Sequence, residues 1–179
     1  MEPRFGEQYR VWIGGEPVPK STMKPPIIRK PMNARYRAML VKKIIATDPK
    51  YAPLQKTQDY QHYVATSVWS AIDEFPQFDE LDPIKLTMTF LKGKHATGDL
   101  KNLIAAVEDG IQHSARIPND RQVTAHGESR IYYYNSHPGV SVVAEIDPLA
   151  SNYEWLLGWL NNSKKKTERY IAMREIVVK

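Results

Sequence analysis

From Gln8 to Gly14 apolar and polar residues alternate, Tyr9, Val11 and Ile13 interleaving with Arg10 and Trp12. A period of two predicts a strand with one buried face, and Gly14-Gly15 ends it. The stretch EPVPKSTMKPPIIRKP that follows has prolines too close together for a helix and reads as a loop. Asn33 to Ala46 predicts a short helix that breaks near Asp48-Pro49. A clearer helix is expected from Thr57 to Ile72, where Tyr60, Val64, Val68 and Ile72 recur every four residues with Ala71 beside them. Beyond the proline-broken DEFPQFDELDP, Ile84 to Leu91 predicts a second strand. Ile84, Leu86, Met88 and Phe90 share one face of it, with Lys85, Thr87 and Thr89 opposite.

Residues 97–110, TGDLKNLIAAVEDG, predict a capped amphipathic helix. On a 3.6-residue period Leu100, Leu103, Ile104, Val107 and Ile111 fall within roughly 100° of arc. Asp99, Asn102 and Asp109 gather within about 80° on another, polar side. A loop carrying IPNDRQV comes next. It leads to an expected hairpin: Glu128 to Tyr134, a turn at NSHPG, then Gly139 to Ile146 with Val140, Val142, Ala144 and Ile146 alternating. From about Ser151 the pattern is helical again, with Trp155, Leu156, Trp159 and Leu160 forming an apolar patch before the basic run KKKTER. There are no internal repeats. Strands and helices mix without regular βαβ spacing, which predicts an α+β fold: a small mixed sheet flanked by helices over residues 1–150, and a helical C-terminal extension over 151–179.

Composition narrows the class. A length of 179 residues suits one domain. With no long apolar run, no membrane span is expected, and MEPRFGEQYR lacks the apolar core of a secretory signal. The absence of cysteine rules out a disulfide framework, a thiolate metal site or a cysteine nucleophile, and fits a cytoplasmic protein. The formal charge of +5 and pI near 9.3 are the electrostatic footprint of a nucleic-acid binder, although solubility alone explains them equally well. In the proline-rich loop and just after it, Lys20, Lys24, Arg29, Lys30, Arg35 and Arg37 form a candidate phosphate-contacting arm; a merely solvated loop is the alternative.

Candidate chemistry lies around the amphipathic helix. Asp99 suits an N-cap, whose carboxylate accepts from free backbone N–H groups. Asp109 is accounted for by solvent exposure and Asn119-Asp120 by a turn. Taken together they suggest more: a strand runs into one aspartate at a helix start, and another aspartate waits before the next strand. Carboxylates converging at strand ends suit Mg²⁺, which binds through one or two acids plus water and phosphate oxygens. In a basic protein the fitting task is phosphodiester hydrolysis.

The stretch GDLKNLIAAVEDGI followed by IPNDRQV resembles the RusA family of Holliday junction resolvases, and the likeness extends from the first strand to about Ile146. That family places Asp-x-Asp-Asn at the helix start, a lysine four residues after the second Asp, an Asp near the helix end, and an Asp-Asp-x-Gln-Val type element before the last hairpin. Asp99, Asn102, Asp109, Asp120, Gln122 and Val123 match by residue and spacing. The resemblance implies a homodimeric, Mg²⁺-dependent endonuclease that cuts four-way DNA junctions in recombination and repair, with three aspartates and the helix lysine in its active site. Carried over, Asp99 and Asp120 would be catalytic and hold the metal, with Asp109, the match to the helix-end acid, either a further ligand of the same ion or a structural residue. Two positions depart from the pattern: the second acid is Lys101 and the lysine is Ala105. They stand one turn apart on one helix face, so Lys101 would supply the missing ammonium as a third catalytic residue. If it does not, the chain is a branched-DNA binding protein that has lost cleavage. Glu108 is expected to point away from Asp99.

The remaining candidates carry less. His62, His95, His113, His126 and His137 show no zinc-ligand spacing. Tyr132-Tyr133-Tyr134 could stack on bases, but tyrosines in an alternating strand are commonly half-buried. Lys164, Lys165, Lys166 and Arg169 are expected on a solvated helix face.

Overall fold

A computed structural model describes residues 3, 6–80, 82–93, 98–133 and 135–147. The expected C-terminal extension, His95 and Tyr134 lie outside the described residues. The rest is a mixed α+β fold. Its strands are β1 (Gln8–Gly14), β2 (Ile84–Leu91), β3 (Val123–His126), β4 (Arg130–Tyr132) and β5 (Gly139–Ile146), and its helices α1 (Ala34–Thr47), α2 (Ala52–Ser70) and α3 (Leu100–His113). Short 3₁₀ turns occupy Pro49–Tyr51 and Asp120–Gln122.

The sheet order is β1-β5-β2-β3, with β4 also on β2. β5 is antiparallel to both its neighbours, whereas β3 and β4 follow one another along the free edge of β2 and run parallel to it. Here the expected hairpin is corrected: β4 does not pair with β5. Both edges of β5 are taken, from Gly139 to Glu145 by β1 and from Gly139 to Ile146 by β2. This central position buries Val140, Val142 and Ala144, which a pairing with the three-residue β4 could not do. A second correction concerns IPNDRQV, expected as a loop: its final Val123 already begins β3. Thus β2, α3 and β3 form a parallel crossover, the connection that parallel strands require.

Within the sheet the alternation holds. Tyr9, Val11 and Ile13 from β1 and Ile84, Leu86, Met88 and Phe90 from β2 are buried, while Arg10 and Trp12 are exposed. α2 and α3 contribute to the same core. Leu103, Val107 and Ile111 are fully buried, with Leu100 and Ile104 packed at the margin. The helices approach closely at Gly110, where a Cβ would lie 2.6 Å from Val64 Cβ. α2 departs from its expected range by starting at Ala52, with Pro53 in its first turn, and ending at Ser70. Ile72, expected on the core face, is 55% exposed, and Phe75 fills the core instead. Four-residue spacing drifts around a helix, and the chain leaves helical geometry at Ala71. α1 lies within one residue of expectation, capped by Asn33, whose side chain accepts from the Tyr36 N–H at 2.7 Å. No helix among the described residues is long and apolar enough to cross a membrane.

Candidate acidic centre and its basic neighbour

Asp99 caps α3: its Oδ1 accepts from the Asn102 N–H at 2.8 Å. At the other side of the crossover, Asn119 caps the turn ahead of β3. The Asn119 side chain accepts from the Arg121 N–H, and Gln122 Oε1 accepts from the Asn119 N–H at 3.0 Å. This is a capping box, in which two otherwise unpaired backbone donors are satisfied reciprocally. Gln122 is buried and also donates to the Asp79 and Asp82 carbonyls. Because Asn119 and Gln122 do the capping and anchoring, Asp120 is left exposed at the surface of the turn.

A crossover helix runs against the strands it joins. Its N-cap therefore sits by the C-terminal ends of those strands, and its last turns by their N-terminal ends. Asp99 occupies the first position, while Asp120 precedes the N-terminal end of β3. The acid that shares surroundings with Asp120 is Glu108. Burial pushes the Glu108 carboxyl above its ordinary range; His126 pulls it down, Asp109 and Asp120 push it up, and Lys20 pulls it down. Glu108 Oε1 is 3.2 Å from His126 Nε2. Glu108 thus sits in the field of Asp109 and Asp120, with His126 and Lys20 opposing them.

One expectation is corrected by this geometry. Asp99 and Asp109 cannot ligate one ion, since ten residues of helix separate them by about 15 Å along the axis. Asp109 is also occupied: its Oδ2 accepts from Gln61 Nε2 at 2.7 Å and lies 2.7 Å from Lys20 Nζ. Glu108 makes its contact with His126 of β3 rather than with Asp99. A spacing signal for Glu108 was present, because it follows Lys101 by seven residues and Ala105 by three, nearly the same helix face. Among the described residues, no three acidic or histidine side chains are grouped to hold a metal ion.

Lys101 is exposed in the first turn of α3 and Ala105 is half-buried below it. The ammonium set against an acid of α3 belongs instead to Lys20, expected to hold DNA phosphate. Its backbone is fixed as well: the Lys20 N–H donates to the Asn102 carbonyl at 2.9 Å, and the Ser21 N–H to the Thr57 hydroxyl at 3.1 Å. Gly98, at φ +136°, lets Pro19 pack where a Cβ would stand 2.8 Å from its Cγ. A residue missed in the sequence helps here. Lys92 is buried, its ammonium 3.4 Å from the Pro17 carbonyl and 3.7 Å from Glu16. Lys24, Arg29, Lys30, Arg35 and Arg37 remain exposed along the rest of the segment. Of the tyrosine cluster, Tyr132 is 50% exposed. No family model matches the chain, and no curated protein matches it.

Proposed function

We propose that the chain is a RusA-like endonuclease that acts as a homodimer on branched DNA, four-way junctions above all, in recombination and repair. The observation that carries the reading is that Glu108 on α3 lies within the field of Asp109 and Asp120, beside a basic segment tethered to the same helix through Lys20. A half-buried carboxylate with further acids about it, next to an exposed cationic stretch, suits a divalent cation and a phosphodiester. Mg²⁺ is satisfied by one or two carboxylates plus water and phosphate oxygens, and Glu108 and Asp120 fit that need where Asp99 with Asp109 does not. When bound, the ion would make a water nucleophilic and offset charge on the phosphate. The chain's own part is to hold the backbone with Lys24, Arg29, Lys30, Arg35 and Arg37, and to keep Asp109 neutralised by Lys20. Asp99 serves as the cap that orients α3. A homodimer supplies the two symmetric sites that a junction requires.

A second reading, junction binding without cleavage, is favoured by one observation: Lys20 occupies the acid that the resemblance would assign to the metal. Labelled four-way junctions incubated with and without Mg²⁺ separate the two. Cleavage is expected with Mg²⁺, falling at least about tenfold in Asp120→Asn and in Glu108→Gln while binding persists, as for loss of a group acting in the transition state. Binding without cleavage in any divalent metal leaves the second reading. Equal affinity for junction and duplex overturns both.

A further inference from the structure

Between residues 20 and 56 the chain carries ten lysines and arginines against one acid, Asp48, although its whole formal charge is only +5. α1 lies within this segment and is loosely attached, since Ile45 is its only buried residue. Its first turn holds no acid and carries Arg35 and Arg37 at the positive end of the helix dipole, where cations are disfavoured. Such a helix repels itself and gains when a polyanion covers it.

Between α1 and α2 runs an open groove of about 810 Å³. Val41, Ile45 and Ala65 give it an apolar floor, Lys42 and His62 stand at its rim, and Trp69 forms part of its wall. Trp69 is 63% exposed. Its indole is nevertheless held in place, because the Arg116 guanidinium lies 5.0 Å from the ring centroid and donates to the Trp69 carbonyl at 2.9 Å. An apolar floor, a fixed exposed aromatic ring and rim cations match the chemistry of an unpaired nucleotide: base on ring, phosphate on ammonium.

We propose that this groove seats unpaired bases of a single strand, with the adjoining phosphates on Lys42 and Lys43 of α1. The inference rests on the reading that the chain acts on branched DNA, and it names the feature recognised there, the unstacked bases of the branch. A duplex keeps its bases stacked and would engage only the cations. A second copy of this chain would bring its own basic segment against this one, so charge favours a polyanion as the occupant.

The test is anisotropy of a labelled oligothymidylate and of a blunt duplex of the same length, with wild type, Trp69→Ala and Trp69→Phe. Trp69→Ala is expected to weaken single-strand binding about tenfold, in line with loss of one stacked base, while duplex binding stays within about twofold. Trp69→Phe, which keeps a π-face, is expected to restore most of the loss. Unchanged single-strand affinity in Trp69→Ala overturns the proposal, and so does an equal loss on both DNAs. A change in oligomeric state by sedimentation, without a change in DNA affinity, assigns the groove to a second copy and also overturns it. Trp69-dependent single-strand binding by a protein that cuts no junction would sink the nuclease reading and leave the groove standing.

Discussion

Asp99, Asp109 and Asp120 are chemically alike, but the backbone, a lysine and the solvent each claim a different one. Asp99 satisfies α3's free N–H groups, Asp109 holds Lys20 and Gln61, and Asp120 is spared capping because Asn119 precedes it. The cap was legible in the sequence because capping is local. The Lys20 pairing was not, because it joins residues 89 positions apart whose meeting depends on how the proline-rich loop is laid down. Asp82 gives a test at this scale. Burial raises its carboxyl pKa, the bond from the Asp79 N–H lowers it, and the Asp79 charge raises it, with a net shift upward from 3.8. A carboxyl raised in the folded state binds its proton more tightly there than when unfolded. The ionised form therefore costs stability above the raised pKa, and the cost disappears below 3.8. Asp82→Asn keeps an acceptor for the Asp79 N–H, so its melting temperature is expected to exceed that of wild type at neutral pH. The gap should close as pH falls below 3.8; a gap that persists in acid would mean another cause.

At the level of elements, helical period placed α1 within one residue and the Asp99 cap fixed the start of α3, which runs three residues beyond Gly110, while alternation defined β1, β2 and β5. What failed was pairing. β4 looked like the partner of β5 because it precedes it, yet β5 gains more by lying between two long strands. β3 went unread because three half-buried residues and an exposed His126 leave little alternation to see. The α2–α3 contact offers a second test. Gly110 faces Val64 Cβ and Cγ1, each 2.6 Å from where a Cβ would stand, with the Gln61 carbonyl at 2.9 Å. In an ordinary helix Gly→Ala stabilises by about 1 kcal/mol. Here overpacking outweighs propensity, and Gly110→Ala is expected to cost about 1–3 kcal/mol, measured by denaturant unfolding. A stabilised variant would show that the two helices can separate at little cost.

Across the whole molecule charge is divided rather than spread. The basic segment from Lys20 to Lys56 meets the rest of the chain at Asp109, and its remainder projects on α1 and the exposed loop. Duplex affinity should therefore fall steeply with salt, as counterion release requires. Replacing Lys42 and Lys43 by alanine is expected to reduce the slope of log K against log salt by about one for each phosphate that is no longer neutralised. A slope that does not change would remove α1 from the DNA-binding surface.

By itself the sequence determined much that depends on neighbours along the chain: the buried faces of β1, β2, β5 and α3, the cap at Asp99, the breaks at Gly14-Gly15 and Asp48-Pro49, and the concentration of positive charge. Only the tertiary structure decided which acids meet. The crossover of α3 places Asp120 among the charges acting on Glu108, and the tethered loop brings Lys20 to Asp109. The physical reason is range: period and capping act over a few residues, whereas the partner of a charged side chain is set by strand order and loop path.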